Sequence, residues 1–176
     1  MSHLYELERF VMHLIPKEGT ISVLDAGCGK GIWGYMLRAL RENITYLCGA
    51  DITTPYLNFV KEKKIYDDLV LCDVTHLPFR DKSFDVVLMA EVLEHLKKEQ
   101  GFATIRELER IAKQLIIITV PQGFVKQEAL HGITAEVHRS AWYAKEFKKL
   151  GYKVVGVGFR LVKYHMAEEH PFLWGD

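Results

Sequence analysis

The sequence predicts an α/β protein with an open, doubly wound and mostly parallel sheet that carries helices on both faces. Two observations predict this fold. Strand-like and helix-like segments alternate along the 176 residues, and the strand-like segments are continuous apolar runs, which is typical of strands covered on both faces. A chain of this length is a common size for one domain and small for two, so we expect residues 1–176 to form a single domain.

The first half of the chain predicts three strands and three helices. An amphipathic helix is expected over residues 3–15, because apolar side chains recur on one face, at Leu4, Leu7, Val11 and Leu14. The strands are expected at residues 21–25, 44–49 and about 69–72. The helix between the first two strands is marked by Trp33, Met36, Leu37 and Leu40. Thr54, followed by Pro55, is expected to cap the next helix.

The second half predicts three more strands, at residues 84–89, at residues 115–120 and from about Lys153. A helix before the second of these is marked by Phe102, Ile105, Leu108 and Ala112. Ser140 is expected to cap a further helix that ends at Gly151. The inward-facing residues of that helix are expected to be Tyr143, Phe147 and Leu150.

Composition and charge narrow the class of protein. Basic and acidic residues number 23 each, so the formal net charge is zero and nucleic acid is not an expected partner. The three cysteines form no Cys-x-x-Cys pair, and an odd number argues against a disulfide framework. We see neither a signal peptide nor an apolar stretch of about 20 residues, so we expect a cytoplasmic protein without a membrane partner. Few amides beside many Lys and Glu residues are typical of a thermophile.

A glycine-rich loop follows the first predicted strand and reads Asp25-Ala-Gly27-Cys-Gly29-Lys-Gly31. Glycines at alternate positions let the backbone turn sharply and approach a ligand closely. The dinucleotide fingerprint Gly-x-Gly-x-x-Gly would place its third glycine at position 32, where this chain has Ile32. The spacing therefore disfavours an NAD-dependent oxidoreductase.

Two acidic residues lie at the expected carboxyl ends of the next two strands. Ligands of open α/β sheets bind at this edge, where an acid at the end of the second strand can accept both hydroxyls of a ribose. Asp51 has that position, and its alternative role is that of a helix cap before Pro55. Asp73 ends the third strand and can accept a hydrogen bond from an exocyclic adenine amine, or act as a turn residue before Pro78.

Four segments in this order resemble the class I S-adenosylmethionine-dependent methyltransferases, which have a Rossmann-like fold. The segments are VLDAGCGKG (23–31), GADIT (49–53), CDVTHLPF (72–79) and FDVVLMAEVLEHL (84–96), and the resemblance covers about residues 20–160. It implies that S-adenosylmethionine is the cofactor and that the chain transfers its methyl group to an acceptor.

The resemblance also implies how each part of the cofactor is held. Gly27 and Gly29 would pack against the methionine part, and Asp25 would organise the loop and contact that part indirectly. Ala90 and Glu91 would border the methionine and the methyl group.

At the nucleoside end, the resemblance implies that Asp51 holds the ribose and that Ile52 lies against the adenine. Asp73 and the backbone of Val74 would read the adenine edge. Asp85 matches the family too, but it begins its strand, at the opposite edge from the site, so we expect it to be structural.

Members of this family usually end with a seventh, antiparallel strand inserted beside the sixth. Residues 160–165 could form it, although the hairpin would be tight. The sequence leaves open whether the seventh strand is present, shortened or missing.

Methyl transfer by in-line displacement mainly requires alignment, and a general base is needed only when the acceptor arrives protonated. The candidate catalytic residues are Glu91, His95 and His138, and Glu94 and His131 are further polar groups near the expected site. The motifs predict no metal site.

A small molecule is the expected acceptor, bound by a monomer or a homodimer. The Asp/Asn-Pro-Pro-aromatic motif of enzymes that methylate amines of DNA bases is missing after the fourth strand, where the chain reads Ala-Glu-Val-Leu. The alternatives are methyl transfer to protein or RNA, and a non-catalytic S-adenosylmethionine-binding partner or sensor subunit.

Residues 122–139 are expected to form part of a lid over the methyl group. They leave the carboxyl end of the fifth strand and are longer than the roughly 2–6 residues usual for such a connection. The alternative is a surface excursion or a dimer contact. His138 is expected to be anchored beside the site, whereas His131 should be more mobile.

Overall fold

The computed structural model describes residues 2–129, 132–157 and 160–166, and the side chains of residues 7–157 within them. Seven strands form one sheet: β1 (Ile21–Ala26), β2 (Ile44–Asp51), β3 (Asp68–Leu71), β4 (Phe84–Ala90), β5 (Ala112–Pro121), β6 (Lys153–Val157) and β7 (Arg160–Met166). The described residues also contain five α-helices: α1 (Ser2–Leu14), α2 (Ile32–Leu40), α3 (Thr54–Lys63), α4 (Lys98–Ile111) and α5 (Ala144–Lys149). Three short 3₁₀ helices in the same residues lie at Val74–His76, Leu93–His95 and Thr134–Glu136.

The sheet has the strand order β3-β2-β1-β4-β5-β7-β6. The first five strands of this order are parallel, and β7 is antiparallel to both β5 and β6. Strand order reverses at β1, since the chain runs outward to β3 and then returns to place β4 on the other side of β1. The predicted fold class is therefore confirmed, and the seventh strand that the sequence left open is present.

The core has two layers, one on each face of the sheet. On one face Val23 and Leu88 pack with side chains of α1, α2 and α3, and on the other Leu24 and Val87 pack with side chains of α4 and α5. Neighbouring residues of one strand therefore enter opposite layers, which is why the strands are continuous apolar runs.

The helix cap predicted at Ser140 is wrong, because tertiary contacts engage that residue instead. Its hydroxyl donates to the carbonyl of Leu93 at 3.2 Å and accepts from the indole N–H of Trp142 at 2.9 Å. The helix begins at Ala144 with Tyr143 as its N-cap. Tyr143 and Leu150, expected to face inward, are exposed, whereas Phe147 is buried as predicted.

The cap predicted at Thr54 is displaced by one residue. Thr53 is the N-cap of α3 and Thr54 is the first helical residue. None of the described helices is both long enough and apolar enough to cross a bilayer.

Candidate functional site

The loop after β1 has a backbone that only glycine adopts easily. Gly27 and Gly29 have φ angles of +81° and +51°. A Cβ atom on Gly27 would lie 2.4 Å from a methyl of Val92, whereas one on Gly29 would meet no atom of the described chain within 4 Å. The loop therefore packs tightly against the segment after β4 on one side and leaves open space over Gly29 on the other.

Asp51, the last residue of β2, joins this loop to the start of α3. One carboxylate oxygen accepts the N–H of Gly29 at 2.8 Å, and the other accepts the N–H of Thr53 at 2.7 Å. Each oxygen has a second lone-pair direction, so the carboxylate retains capacity to accept a ligand's hydroxyls. The neighbouring Ile52 is more than half exposed and offers an apolar surface beside the carboxylate.

Asp25 is almost fully buried beneath the same loop. Its carboxylate accepts the hydroxyl of Tyr66 at 2.7 Å. Burial is the main reason that the pKa of Asp25 is raised, to about 7, and the charge of Asp51 adds to this, while the Tyr66 hydrogen bond opposes it. The floor of the loop therefore contains an acid that titrates near neutral pH.

Asp73 follows β3 and caps the 3₁₀ helix Val74–His76. Its Oδ1 accepts both the N–H and the hydroxyl of Thr75, each at 2.8 Å. The side chain is exposed, and Val74 behind it is buried. These local contacts agree with the alternative role of Asp73 as a turn residue, and they leave it two residues after the end of β3, at the carboxyl edge of the sheet.

Glu91 follows β4 in a left-handed conformation, with φ +56°, which is strained for a residue that has a side chain. Its carboxylate accepts the hydroxyl of Thr119 at 2.8 Å, and its N–H donates to the Thr119 carbonyl at 2.9 Å. Two hydrogen bonds between Glu91 and Thr119 of β5 therefore hold Glu91 at the carboxyl end of β4, next to Ala90.

His95 and His138 meet at the same edge, with ring centroids 4.8 Å apart. Burial and the neighbouring His138 lower the pKa of His95 below its usual range. Together with Glu94, the two histidines offer three ligand atoms that lie within 4.8 Å of one another. The sequence motifs predict no metal site, and the one local signal for this grouping is the adjacent pair Glu94-His95.

Residues 122–139, which we call the lid segment, contact both sides of this edge. On the β4 side, Arg139 donates its N–H to the carbonyl of Glu94 at 2.7 Å. On the β2 side, the Glu136 carboxylate lies close enough to the hydroxyl of Tyr56 on α3 to raise its pKa, which burial and this charge bring to about 12. His131 lies outside the described residues.

The lid segment is also bonded within itself. Gln127 donates its amide N–H to the carbonyl of Glu136 at 2.8 Å, and the N–H of His138 donates to the carbonyl of Gln127 at 3.2 Å. At its start, the N–H of Gly123 donates to the carbonyl of Trp142 at 2.8 Å. These bonds join residues 123–127 to residues 136–142, so the two described parts of the segment, 122–129 and 132–139, fold back on each other.

The family model described as "Methyltransferase domain" matches residues 24–117, which is more than half of the chain. The chain therefore belongs to this methyltransferase family, and the class I S-adenosylmethionine-dependent resemblance is confirmed. S-adenosylmethionine is the cofactor of this class, and methyl transfer is its reaction.

Two curated relatives match most of this chain, and both are longer proteins. An uncharacterized protein of Methanocaldococcus jannaschii is 31% identical over 134 residues, covering 76% of this chain and 55% of that protein. A tRNA (carboxymethyluridine(34)-5-O)-methyltransferase of Arabidopsis thaliana is 28% identical over 126 residues, covering 71% of this chain and 30% of the enzyme. The chain thus spans less than two thirds of either relative.

Solved structures support the fold at low sequence identity. The PH0226 protein of Pyrococcus horikoshii superimposes with a TM-score of 0.72 at 18% identity, covering 95% of this chain and 90% of that one. Magnesium protoporphyrin IX methyltransferase from Synechocystis, solved with bound S-adenosylhomocysteine, gives 0.67 at 16% identity, covering 95% and 84%. These likenesses concern the fold alone.

The described residues fit S-adenosylmethionine. The open space over Gly29 accommodates a ligand, and the remaining lone pairs of Asp51 suit a diol. Ile52 and Asp73 are both exposed. Ile52 offers an apolar surface suited to the adenine ring, and Asp73 offers an acceptor suited to the adenine amine.

Asp73→Ala is expected to weaken S-adenosylmethionine binding less than Asp51→Ala, and Asp73→Asn should be milder still. Alanine would remove the acceptor expected for the adenine amine, and it removes the acceptor that Thr75 uses, whereas the asparagine oxygen can replace both. Calorimetric titration of the two Asp73 variants measures their affinities for the cofactor. Thermal melting shows how much stability is lost with the Thr75 cap. Weaker binding by the Asn variant than by the Ala variant would contradict the contact.

Proposed function

We propose that residues 1–176 act as one catalytic domain that transfers the methyl group of S-adenosylmethionine to a small-molecule acceptor. The observation that carries the choice of acceptor is the lid segment, which contacts Tyr56 on one side of the carboxyl edge and Glu94 on the other. A segment that is bonded to Glu94 and lies near Tyr56 would enclose a compact acceptor more readily than a folded macromolecule.

The cofactor would be held along the edge from β1 to β3. Gly27 and Gly29 would face its methionine part above Asp25, and Asp51 would accept the ribose hydroxyls. Ile52, Asp73 and Val74 would surround the adenine, and Ala90 and Glu91 would border the methyl group. S-adenosylmethionine supplies a methyl group on a positively charged sulfur, which needs no further activation as an electrophile.

The main task of the chain is then to align the acceptor and exclude water. The strained Glu91, fixed by two bonds to Thr119, is positioned to hold a polar group of the acceptor or to take its proton. His95 and His138 provide the other polar groups on that side. The lid segment would complete the cleft around them.

His138→Ala is expected to lower turnover by at least about tenfold while affinity for S-adenosylmethionine stays nearly unchanged. The ring of His138 packs against that of His95, which follows β4, whereas the proposed ribose acceptor Asp51 ends β2. The measurements are steady-state methyl transfer with a screened acceptor and calorimetric titration of the cofactor. His13→Ala, at an exposed histidine of α1, is the matched control. An equal loss of cofactor affinity in His138→Ala would contradict this placement.

Hydrogen exchange tests the lid segment without knowledge of the acceptor. Apart from the bonded N–H groups of Gly123, Glu136, Val137, His138 and Arg139, its amides should exchange readily in the free protein. They should become protected when S-adenosylhomocysteine and an acceptor-like ligand are present. Strong protection throughout residues 122–139 in the free monomer would instead identify a fixed packing element.

RNA is the second candidate acceptor, favoured by the relative whose name describes a tRNA methyltransferase. A formal net charge of zero gives no general attraction to a polyanion. Methylation of bulk tRNA by the purified chain, at a rate that small acceptors do not match, would favour RNA over our proposal.

A further inference from the structure

We infer that Glu94, His95 and His138 form a binding site for a divalent transition-metal ion at the acceptor side of the cleft. The site combines one carboxylate with two imidazoles, and its three ligand atoms lie within 4.8 Å of one another. Metal–nitrogen bonds of about 2.0–2.1 Å bring tetrahedral ligands to roughly 3.3 Å from each other. Side-chain rotations that move these atoms by an ångström or so would therefore complete the site.

The hydrogen bonds of both histidines prepare them as ligands. His138 Nδ1 lies 2.6 Å from the carbonyl oxygen of Val125, and His95 Nδ1 lies 3.4 Å from that of Val137. A carbonyl oxygen only accepts, so each Nδ1 bears a proton, and in the neutral imidazole the lone pair is then on Nε2. Metal-binding histidines commonly donate their other N–H to a backbone carbonyl in this way.

The backbone fixes the distance between the two halves of the site. Glu94 and His95 follow β4, whereas His138 belongs to the lid segment. The carbonyl of Glu94 accepts the N–H groups of Arg139 and Ser140, at 2.7 and 3.1 Å. Arg139, the residue after His138, is thus bonded directly to Glu94. A backbone hydrogen bond therefore holds the two halves of the site together, in addition to side-chain packing.

The ligand types select the metal. Two imidazoles with one carboxylate suit Zn²⁺, Co²⁺, Fe²⁺ or Mn²⁺ better than Ca²⁺ or Mg²⁺, which prefer oxygen ligands only. Three protein ligands leave at least one coordination position open, as in catalytic metal sites. The ligand we infer for the open position is a hydroxyl oxygen of the acceptor, because such an ion binds oxygen and lowers the pKa of a hydroxyl that it binds.

The reaction at this site rests on the proposed function, although the binding of the ion does not. The ion binds the hydroxyl oxygen of the acceptor and lowers its pKa, so that the proton leaves to a base or to solvent. The oxygen then forms a bond to the methyl carbon while the carbon–sulfur bond breaks, and its electron pair stays on sulfur. The products are a methyl ether or ester, S-adenosylhomocysteine and one proton.

Titration of the metal-free protein tests the site directly. The full chain is stripped with EDTA and titrated with Co²⁺, followed by visible absorption, and with Zn²⁺, followed by calorimetry. The wild type is expected to bind one ion per chain, and His95→Gln and His138→Gln should weaken that binding at least about tenfold. Glu94→Gln tests the carboxylate in the same way, provided that it melts like the wild type.

His13→Gln is the matched control, because His13 is exposed on α1 and takes no part in the site. It should bind the ion as the wild type does. The inference is overturned if the wild type binds no ion at millimolar concentration, or if the two histidine variants bind it as tightly as His13→Gln does.

Two further measurements separate this inference from the proposed function. If the stripped protein binds S-adenosylmethionine normally and regains methyl transfer to a hydroxyl acceptor when the ion returns, both stand. Metal-independent methyl transfer would overturn the role of the ion and leave the proposed function intact. Ion binding by the three residues without methyl transfer to any small acceptor would overturn the proposed function and leave the site intact.

Discussion

Replacing Asp51 with alanine is expected to weaken binding of S-adenosylmethionine at least about tenfold while the protein stays folded. Hydrogen bonds to a charged group are worth about 1.5–3 kcal/mol each, so loss of a single ribose contact already gives a tenfold effect. Asp51 also holds the N–H of Gly29, so the alanine variant loosens the glycine loop as well. Calorimetric titration measures the affinity. Asp51→Asn keeps one acceptor oxygen, so its affinity should lie between those of the wild type and Asp51→Ala.

Asp85→Ala is the matched control for this change. Asp85 accepts the N–H and hydroxyl of Ser22, at 2.8 and 2.6 Å, and is paired with Lys113, but it lies at the start of β4 on the opposite edge. Although burial opposes its ionisation, these hydrogen bonds and Lys113 hold the pKa of Asp85 below its usual range. Its loss should lower the melting temperature and leave cofactor affinity unchanged. Unchanged affinity in Asp51→Ala would remove Asp51 from the site.

The second large effect concerns stability and pH. Asp25→Asn is expected to be more stable than the wild type at pH 8, with the difference disappearing as the pH falls toward 4. The folded-state pKa of Asp25, about 7, is above its usual value of 3.8, so the folded protein binds a proton more tightly than the unfolded chain does. Stability from this group is therefore present at low pH and is lost as the pH rises through about 7.

Thermal melting of both proteins between pH 4 and 8 measures this difference. Each kcal/mol corresponds to about 2–4 °C for a protein of this size, so several degrees are expected at pH 8. Tyr66→Phe removes the hydrogen bond that favours the ionised carboxylate and should widen the loss at high pH. A stability difference between wild type and Asp25→Asn that stays the same at every pH would show that folding does not raise the pKa of Asp25.

The same acid links stability to cofactor binding. S-adenosylmethionine carries a sulfonium and an ammonium group, and positive charge beside Asp25 favours its ionised form. Binding near pH 7 should then release part of a proton, which calorimetry detects by comparing buffers of different ionisation enthalpy. Asp25→Asn should abolish this buffer dependence.

Much of the fold follows from local patterns in the sequence. Continuous apolar runs such as the one in β5 predict strands buried on both faces, and the acids Asp51 and Asp73 fall at strand ends, where parallel topology gathers ligands. The ends of the strands were predicted less accurately than their positions, because β2 and β5 extend beyond the apolar residues that marked them. The roles of the predicted site residues stay predictions.

Tertiary contacts explain what local patterns could not supply. Ser140 has a good capping side chain, but the Leu93 carbonyl and the buried Trp142 engage it. The meeting of Glu94 and His138 depends on how the lid segment folds back across the edge, and no spacing along the chain encodes that. The hairpin between β6 and β7 was equally undetermined, since its strands are short and close together.

The position of β7 in the sheet has a consequence for synthesis. β6 pairs with no described strand except β7, and β7 also covers the outer edge of β5. A ribosome makes both neighbours before it makes β7, so the almost wholly apolar edge of β5 stays unpaired until the last strand emerges. An unpaired edge of this kind readily joins another chain. A nascent chain arrested before residue 160 should therefore be the species that aggregates or recruits a chaperone.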